Sequence, residues 1–234
     1  MNKYSTSDSL SYCLGMSLTI EALKNKASYV RDVYLSSKAS RNEQLSYLLK
    51  LCEENGIVPK YDDAVISKLS LKENCYCIGF FEKFYTKLNT NEHIVLYGFN
   101  DFGELGTILR SAVSFDFKDI VLINCNIDYF DPKCIRASMG SIFHTNIIKY
   151  DSLEEYIKLY SKQNLIPFVS KSKKELDELR IDKNYSIIIS QDYYALDDIF
   201  NNGYYIKHNH FDEISLSIRS SIILNQIYYL KRNR

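Results

Sequence analysis

An arginine within an apolar helical segment is the strongest chemical signal in the sequence. Arg110 lies one turn into a stretch whose inner face carries apolar residues such as Leu105 and Leu109. A guanidinium in that setting is unfavourable unless it is paired or functional, although a side chain that extends to water would give the same pattern. Gly103 and Gly106 precede it, in a turn whose amides could approach an anion or could be purely structural.

The other candidate groups give weaker signals. The segment 136–141, Arg-Ala-Ser-Met-Gly-Ser, places small residues where the backbone could approach a ligand, although tight packing would also explain them. His208 and His210 would need a carboxylate from elsewhere, so we expect no metal site. The cysteines form no CxxC pair and are expected to be buried, reduced thiols; they are Cys13, Cys52, Cys75, Cys77, Cys125 and Cys134.

Charge limits the kinds of partner that the protein can bind. The chain has 29 basic and 29 acidic side chains, so a nucleic-acid site must be a local patch. Basic residues cluster at 171–174 and in the tail at 231–234, although such runs are usually solvated faces. The sequence contains no P-loop, GxGxxG or GxSxG motif.

Composition indicates a folded protein with one large domain or two small ones. The chain has 234 residues, of which 46% are hydrophobic and 14% aromatic, which excludes global disorder. No run approaches the roughly 20 apolar residues of a membrane span, and no signal-type segment follows Met1. We therefore expect a cytoplasmic protein without membrane association.

The elements that must position these residues alternate between helix and strand. Residues 1–85 resemble a small α/β domain, with predicted helices over 17–23, 42–54 and 63–69 and strands over 29–35, 57–59 and 75–81. Ser17 is a predicted N-cap, and Gly56 is a predicted helix stop. The polar run 86–92 is the predicted linker.

From residue 93 to residue 234 the pattern predicts a second domain. Apolar strands are predicted over 93–99, 120–123, 146–148, 166–170 and 186–190, and the last helix over 214–230. Helices are predicted between the strands, up to residue 115 and over 135–143, 152–160 and 173–179. Strands separated by helices predict an open, mostly parallel sheet with helices on both faces. Ligands bind beyond the carboxyl ends of such strands, so the turns there are the places to examine.

Three segments together resemble the SpoU/TrmH family of RNA ribose 2′-O-methyltransferases. Residues 101–115 are similar to its first motif, D-P-x-N-x-G-x-x-x-R-x-A, and residues 136–143 to its second, R-x-S-x-G-A. Residues 186–224 resemble its third region, G-x-E-x-x-G followed by I-P-M and S-L-N-V-S. The segment before residue 85 is similar to the small RNA-binding domain that often precedes the catalytic one, so the resemblance covers nearly the whole chain.

The resemblance implies a SPOUT fold, in which the C-terminal stretch forms a trefoil knot whose loops hold S-adenosyl-L-methionine (AdoMet). It also implies a homodimer and an RNA substrate, tRNA or rRNA, with no role for DNA. At the position of the first-motif arginine, Arg110 would help to activate the ribose 2′-hydroxyl, because a cation stabilises a developing alkoxide.

The departures from the family pattern cluster at the cofactor. The resemblance places catalytic groups at Arg110, Glu104, Asp192 and Ser217, where Glu104 and Ser217 replace Asn and Asp192 replaces Glu. It places cofactor contacts at Ser190, which replaces Gly, and at Ile206, Ser215 and Leu216. Further departures are Phe102 for Pro, Asp116 and Ala195 for Gly, Lys207 for Pro and Arg219 for Ser.

Two hypotheses follow. The first is an AdoMet-dependent RNA 2′-O-methyltransferase, favoured by Arg110, Ser138 and Gly140. The second is a catalytically inactive, dimeric RNA-binding relative, favoured by the altered third motif. An unrelated nucleotide-binding α/β protein would fit the alternation of elements but not the ordered motifs.

Overall fold

The structure is a computed structural model of the 234-residue chain, and it describes residues 3–70, 74–192, 194–208 and 214–233. The chain forms two compact units. The first unit contains Met1–Phe84 and Asp128–His144, and the second contains Tyr85–Ile127 and Thr145–Arg234. The segment around the second motif therefore packs within the first unit, although its sequence lies between two strands of the second.

The described residues form nine strands and seven α-helices. In chain order these are β1 (Leu10–Leu14), α1 (Met16–Lys26), β2 (Val30–Leu35), α2 (Glu43–Glu54), β3 (Lys60–Tyr61), α3 (Asp63–Leu69), β4 (Cys77–Glu82), β5 (Glu92–Tyr97), α4 (Phe102–Ser114), β6 (Asp119–Ile123), α5 (Pro132–Ala137), β7 (Asn146–Tyr150), α6 (Leu153–Leu159), β8 (Asn164–Pro167), β9 (Tyr185–Ser190) and α7 (Leu216–Arg232). None of these helices is long and apolar enough to cross a membrane.

The first unit is built on a four-stranded sheet in the order β1-β4-β2-β3. Strands β1 and β2 are both antiparallel to β4, and β3 is parallel to β2. Helix α2 begins where the Asn42 side chain accepts a hydrogen bond from the Leu45 amide, and Gly56 follows its end at φ +68°. The predicted stop at Gly56 is confirmed, because that backbone conformation favours glycine.

Several sequence-based assignments in the first unit are wrong. Strand β1 was not predicted, and the short strand expected over 57–59 lies at Lys60–Tyr61. Helix α1 begins after Gly15 at φ +106°, so Ser17 is not its N-cap. The helix expected over 135–143 ends at Ala137, because Met139 and Gly140 have φ of +50° and +86°, outside the right-handed helical range.

The second unit is an open sheet of five parallel strands in the order β7-β6-β5-β9-β8. This confirms the predicted parallel sheet. Every residue of β6 and of β9 is buried, as expected of strands covered on both faces. The predicted helix over 173–179 is instead a single 3₁₀ turn at Leu176–Glu178.

The polar run 86–92 is held by hydrogen bonds within the second unit. The buried carboxylate of Asp119 accepts hydrogen bonds from the amides of Asn89 and Thr90 and from the side chain of Asn146. The Ile147 amide donates to the hydroxyl of Thr86 at 3.0 Å. This run is therefore tied to the start of the parallel sheet.

A buried histidine lies at the amino end of β5. His93 is 1% exposed; its Nε2 is 3.1 Å from the Thr90 carbonyl oxygen, and its Nδ1 is 2.7 Å from the Tyr156 hydroxyl. That hydroxyl is in turn 2.6 Å from the Ser186 hydroxyl. Burial lowers the pKa of His93, against smaller opposing effects of the Thr90 carbonyl and Asp119. The neutral imidazole with its proton on Nε2 satisfies both contacts.

Because the pKa of His93 is lower in the folded state, the unfolded state binds more protons below about pH 6.5. The free energy of unfolding should therefore decrease as the pH falls from 7 towards 5.5. In His93→Gln this decrease should be smaller, as measured by urea unfolding at several pH values. Asn225→Gln, an exposed change in the same unit that leaves every imidazole in place, supplies the control and should keep the wild-type pH profile. Identical profiles for wild type and His93→Gln would contradict this account.

Candidate active site

The predicted catalytic and cofactor residues all lie in the second unit, near the carboxyl ends of its central strands. Strands β5 and β9 are neighbours, with Tyr97 paired to Ser190 at their ends. The Gln191 amide extends this pairing by donating to the Tyr97 carbonyl at 3.0 Å. The turns after these two strands therefore start side by side, at the edge where ligands bind in parallel sheets.

Helix α4 carries the first motif. Asp101 caps it by accepting a hydrogen bond from the Glu104 amide at 2.7 Å. Its predicted inner face is buried at Leu105, Ile108, Leu109 and Ala112. Arg110, however, is exposed. The expectation that apolar neighbours shield Arg110 from water is therefore wrong for a single copy of the chain. Arg110 lies on the side of α4 that faces away from the buried residues.

Glu104 has a carboxylate oxygen without a hydrogen-bond partner in the described part of the chain. Its Oε2 atom is buried, and the residue lies in the first turn of α4. A buried carboxylate oxygen is costly unless it accepts a hydrogen bond. A donor supplied by a ligand would satisfy it.

The turn after β9 is closed by its own side chains. Ser190 is fully buried, and its hydroxyl donates to the Asp192 carbonyl. Asp192 is exposed, and its Oδ1 accepts a hydrogen bond from the Tyr194 amide at 2.8 Å. The serine that replaces the family glycine therefore packs inward and braces the turn.

The chain segment before Ile206 is held against the end of β8. The Tyr204 amide donates to the Pro167 carbonyl, and the Val169 amide donates to the Tyr204 carbonyl, both at 2.9 Å. Gly203 makes this approach possible, because a Cβ there would lie 2.5 Å from the Pro167 oxygen. Ile206 itself is 7% exposed.

Polar side chains flank Ile206. The ring Nδ1 of His208 is 2.8 Å from the Ile206 carbonyl oxygen. Lys207, which stands where the family has proline, pairs with Glu175 at 2.8 Å. This hydrogen bond and charge raise the pKa of Lys207 and lower that of Glu175. His210 lies outside the described residues, and the described residues contain no cluster of three or more potential metal ligands.

The start of α7 contains the remaining predicted residues. Ser215 caps the helix by accepting a hydrogen bond from the Ile218 amide, and its hydroxyl is 3.1 Å from that of Ser217. Leu216 is fully buried. The side chains of Ser215 and Ser217 are thus available at this edge, whereas Leu216 can offer only its backbone.

Arg219 also lies at the candidate site, although in the sequence it stood out only as an arginine in place of the family's serine. It is 4% exposed, and its guanidinium donates to the carbonyls of Ser190 and Gln191, each at 2.9 Å. Its Nε donates to the Ile214 carbonyl, also at 2.9 Å. One buried cation therefore joins the turn after β9 to the start of α7. Its only sequence signal is a charged residue at an inward position of an apolar helix.

Asp197 and Ser170 form a second connection that the sequence did not reveal. The Asp197 carboxylate accepts hydrogen bonds from the Ser170 amide, at 2.8 Å, and from the Ser170 hydroxyl. This pair joins the chain after β8 to the chain after β9. The three turns of the site are therefore linked by side chains as well as by the sheet.

Hydrogen bonds join the third-region residues to one another but do not include Arg110 in the described part of the chain. Arg219 connects Ser190 to the segment that begins α7. Helices α4 and α7 meet where the hydroxyls of Ser111 and Ser221 are 2.8 Å apart. Within the described residues, no hydrogen bond joins Arg110 to another predicted site residue.

The second motif lies in the first unit, where its glycine permits close packing. A Cβ at Gly140 would lie 2.9 Å from the Cβ of Glu21 on α1. The Ser138 hydroxyl is buried and donates to the Ile135 carbonyl at 2.8 Å. Tight packing, the alternative considered from the sequence, therefore explains both small residues.

The cysteines are all free, and none forms a disulfide in the described structure. Five are buried, and Cys125 is intermediate in exposure. Burial raises the pKa of Cys13 and of Cys52 to about 11, so neither is a reactive thiolate near neutral pH.

The whole fold matches solved methyltransferases. An AdoMet-bound rRNA methyltransferase from Sinorhizobium meliloti is 20% identical, with a TM-score of 0.78 over 95% of this chain and 88% of that one. The SpoU methyltransferase AviRb from Streptomyces viridochromogenes, in complex with AdoMet, is 12% identical, with a TM-score of 0.79 over 96% and 91%. An RNA 2′-O ribose methyltransferase is 17% identical, with a TM-score of 0.77 over 97% and 91%. The class of protein is thus an α/β protein with the fold of the SpoU-type methyltransferases.

A family model also matches part of the sequence. Residues 91–191 match the SpoU rRNA methylase family, which confirms the resemblance found from the motifs. The match ends at Gln191, before Ile206 and Ser215. No curated protein matches the chain by sequence.

Arg219→Met keeps most of the apolar volume but should destabilise the second unit, because it removes three hydrogen bonds to backbone carbonyls, one of them buried. Hydrogen bonds to charged groups contribute about 1.5–3 kcal/mol each, so we expect a loss of at least about 2 kcal/mol in urea unfolding. Arg232→Met, an exposed change on the same helix, should stay within about 0.5 kcal/mol. Equal stability of the two variants would show that the guanidinium does not brace the turn.

Proposed function

We propose that the chain is an AdoMet-dependent RNA methyltransferase that methylates a ribose 2′-hydroxyl of tRNA or rRNA. The observation that carries the proposal is the similarity in fold, over 95% of the chain, to an AdoMet-bound rRNA methyltransferase. The SpoU match over residues 91–191 supports it independently. The choice of the 2′-oxygen rests on the family resemblance and on the similarity to a 2′-O ribose methyltransferase.

The donor set at the strand ends fits AdoMet. The proposed contacts are Ser190, Ile206, Ser215 and Leu216, which offer backbone groups and two hydroxyls around a buried apolar edge. The buried Oε2 of Glu104 needs a hydrogen-bond donor, and AdoMet carries an amino group, an exocyclic amine and ribose hydroxyls. Arg219 occupies one side of the Ser190 carbonyl, but a carbonyl oxygen has a second lone pair.

AdoMet, when bound, supplies a methyl group made electrophilic by the positively charged sulfur that carries it. The chain must bind the ribose in line with that methyl group and help the 2′-hydroxyl to lose its proton. Arg110 would stabilise the negative charge that develops on the 2′-oxygen. Glu104, Asp192 and Ser217 would orient the reactants through their side-chain oxygens, and the buried Oε2 of Glu104 would accept a hydrogen bond.

The geometry of α4 supports the proposed homodimer. Arg110 and Glu104 are six residues apart, which at about 100° per residue turns them roughly 120° away from each other and separates them by about 9 Å along the helix axis. One copy of the chain is therefore poorly arranged to direct both side chains at one ribose. In a dimer, the exposed Arg110 of one protomer could complete the site of its partner.

An apolar stripe on α7 also supports a dimer. Ile218, Ile222 and Tyr229 are 54%, 38% and 62% exposed and share one face of the helix. Ile223 and Ile227, by contrast, are fully buried. Helix α7 contacts α4 through Ser221 and Ser111, so the stripe lies on a helix that packs beside the one carrying Arg110. Burying such a stripe against a second copy would be favourable.

Calorimetric titration with AdoMet is the first test. We expect a dissociation constant in the micromolar range and a stabilisation of about 2.7 kcal/mol at a ligand concentration 100 times that constant. Gly203→Ala should weaken binding, because its Cβ would displace the segment before Ile206 from the Pro167 carbonyl. Lys158→Ala, an exposed change on α6, is the control. No heat and no thermal stabilisation at millimolar AdoMet would favour the non-catalytic RNA-binding alternative.

Methyl transfer to unmodified tRNA and rRNA transcripts is the second test, with digestion to nucleosides to locate the methyl group. Arg110→Ala should lower kcat by about 10²–10³, as expected when one stabilising donor is removed, while RNA affinity stays nearly unchanged. Lys158→Ala again serves as the control. A large loss of RNA affinity with kcat retained would make Arg110 a binding residue, and methylation of a base would overturn the 2′-O assignment.

A further inference from the structure

The first unit contains a cavity that the proposed methyl-transfer site does not use. It has a volume of about 530 Å³ and is lined by residues of β1, of the end of α3 and of the segment around α5. This volume lies in the range of small-ligand sites, about 300–1,000 Å³. The cavity is formed entirely within the first unit.

The floor of the cavity is apolar and rigid. Tyr12, Leu69 and Cys75 line it and are at most 9% exposed. All three belong to the hydrophobic core of this unit, and the Tyr12 ring packs against Phe80 with centroids 5.5 Å apart. A flat apolar group could therefore bind here without rearrangement of the core.

A second aromatic side chain, Tyr4, is held at the wall. Its hydroxyl donates to the Asp128 carboxylate, which also pairs with Lys83 at 2.9 Å. The Lys83 ammonium lies 4.8 Å from the centre of the Tyr4 ring. Burial, together with the hydrogen bond and charge of Asp128, raises the pKa of Tyr4, so the phenol stays neutral. Asp128 and Lys83 thus fix the orientation of this ring.

Cations dominate the rim. Lys3, Lys133 and Arg136 line the cavity and are exposed. Asp131 is the only carboxylate among the lining residues of the described chain, and its Oδ1 already accepts a hydrogen bond from the Lys133 amide at 2.8 Å. Among its described residues, the rim therefore has an excess of positive charge that would attract an anion.

We infer that this cavity binds an unpaired nucleotide of the RNA strand, with the base against Tyr4 and Tyr12 and the phosphates at Lys3, Lys133 and Arg136. Aromatic surfaces bind bases by stacking, and lysine and arginine bind the backbone. The inference rests on the proposed function for its RNA substrate. A free mononucleotide has the same chemistry as a nucleotide of a strand. Three exposed cations, however, can contact more than one phosphate, as in an RNA strand that runs across the opening of the cavity.

The location of the second motif is a further argument for a nucleotide site in this cavity. Arg136 begins that motif, yet its segment packs in the first unit and lines this cavity. Its Ser138 and Gly140 serve packing, as described above. Arg136 is exposed and charged, and its guanidinium suits phosphate.

The first test measures binding of a fluorescein-labelled 12-nucleotide single-stranded RNA by anisotropy at several salt concentrations. Lys133→Glu combined with Arg136→Glu should weaken binding at least tenfold and reduce the salt slope by about 1.4, since each phosphate contact on a single strand contributes about 0.7. Lys38→Glu combined with Lys50→Glu, exposed in the same unit and outside the cavity, is the charge-matched control. Equal losses in both double variants would overturn the inference.

The second test asks whether the base enters the cavity. Leu14→Trp fills it without changing charge, and Leu10→Trp, on the same strand but outside the lining, is the control. Only the first should weaken RNA binding, with melting curves confirming that both variants fold. Photocrosslinking of RNA that carries 4-thiouridine should label peptides containing Tyr4 or Tyr12. Crosslinks found only in the second unit would contradict the inference.

Two further measurements separate the possible failures. If AMP, GMP, CMP or UMP binds the cavity more tightly than the 12-mer, the ligand is a free mononucleotide and the RNA assignment is wrong. AdoMet titration of the same variants tests the proposed function separately. Cavity variants that bind AdoMet normally but lose RNA binding would support the inference. A wild-type protein that binds AdoMet but no RNA would refute the cavity proposal and leave the cofactor proposal unaffected.

Discussion

The contacts of Arg219 are the constraint on which the candidate active site depends. Its guanidinium is buried and donates hydrogen bonds to carbonyls at the end of β9 and in the chain before α7. A cation removed from water must be solvated by the protein, and these backbone carbonyls contribute to that solvation. The turn after β9 and the start of α7 are therefore fixed relative to each other by the requirement to solvate one charge.

This constraint gives the altered third motif a physical interpretation. Where the family pattern has glycine and serine, this chain has Ser190 and Arg219, and the two meet at the Ser190 carbonyl. The Ser190 hydroxyl closes the turn on Asp192, while Gly203 lets the next segment approach Pro167. The edge of the sheet is thus well connected despite its departures, which favours a retained binding site over an eroded one.

In the segment Asp128–His144, the small residues and the arginine of the second motif have different roles. It is inserted in sequence between β6 and β7 of the second unit, but it completes the core of the first, where Gly140 packs on Glu21. From the sequence, its small residues suggested either close approach to a ligand or tight packing. In this structure their role is packing, whereas Lys133 and Arg136 of the same segment are exposed and line the cavity of the first unit.

The sequence by itself determined the parallel sheet of the second unit, because its strands are apolar runs such as β6 and β9 that only burial on both faces accommodates. The order and spacing of its motifs also indicated the resemblance to the SpoU family, which the match over residues 91–191 confirms. The implied knot stays a prediction, since residues 209–213 lie outside the described chain. The same holds for the role of residues 1–85 as an RNA-binding domain.

Only the tertiary structure decided the exposure of Arg110, the solvation of Arg219 and the unit to which Arg136 belongs. Apolar periodicity reports that a helix has a buried face, but the direction of a single charged side chain depends on which elements pack around it. The partners of Arg219 lie up to 29 residues away in sequence, and hydrogen bonds over that distance leave no local pattern. The physical reason is that hydrogen bonds between segments distant in sequence form only when the complete fold brings those segments together.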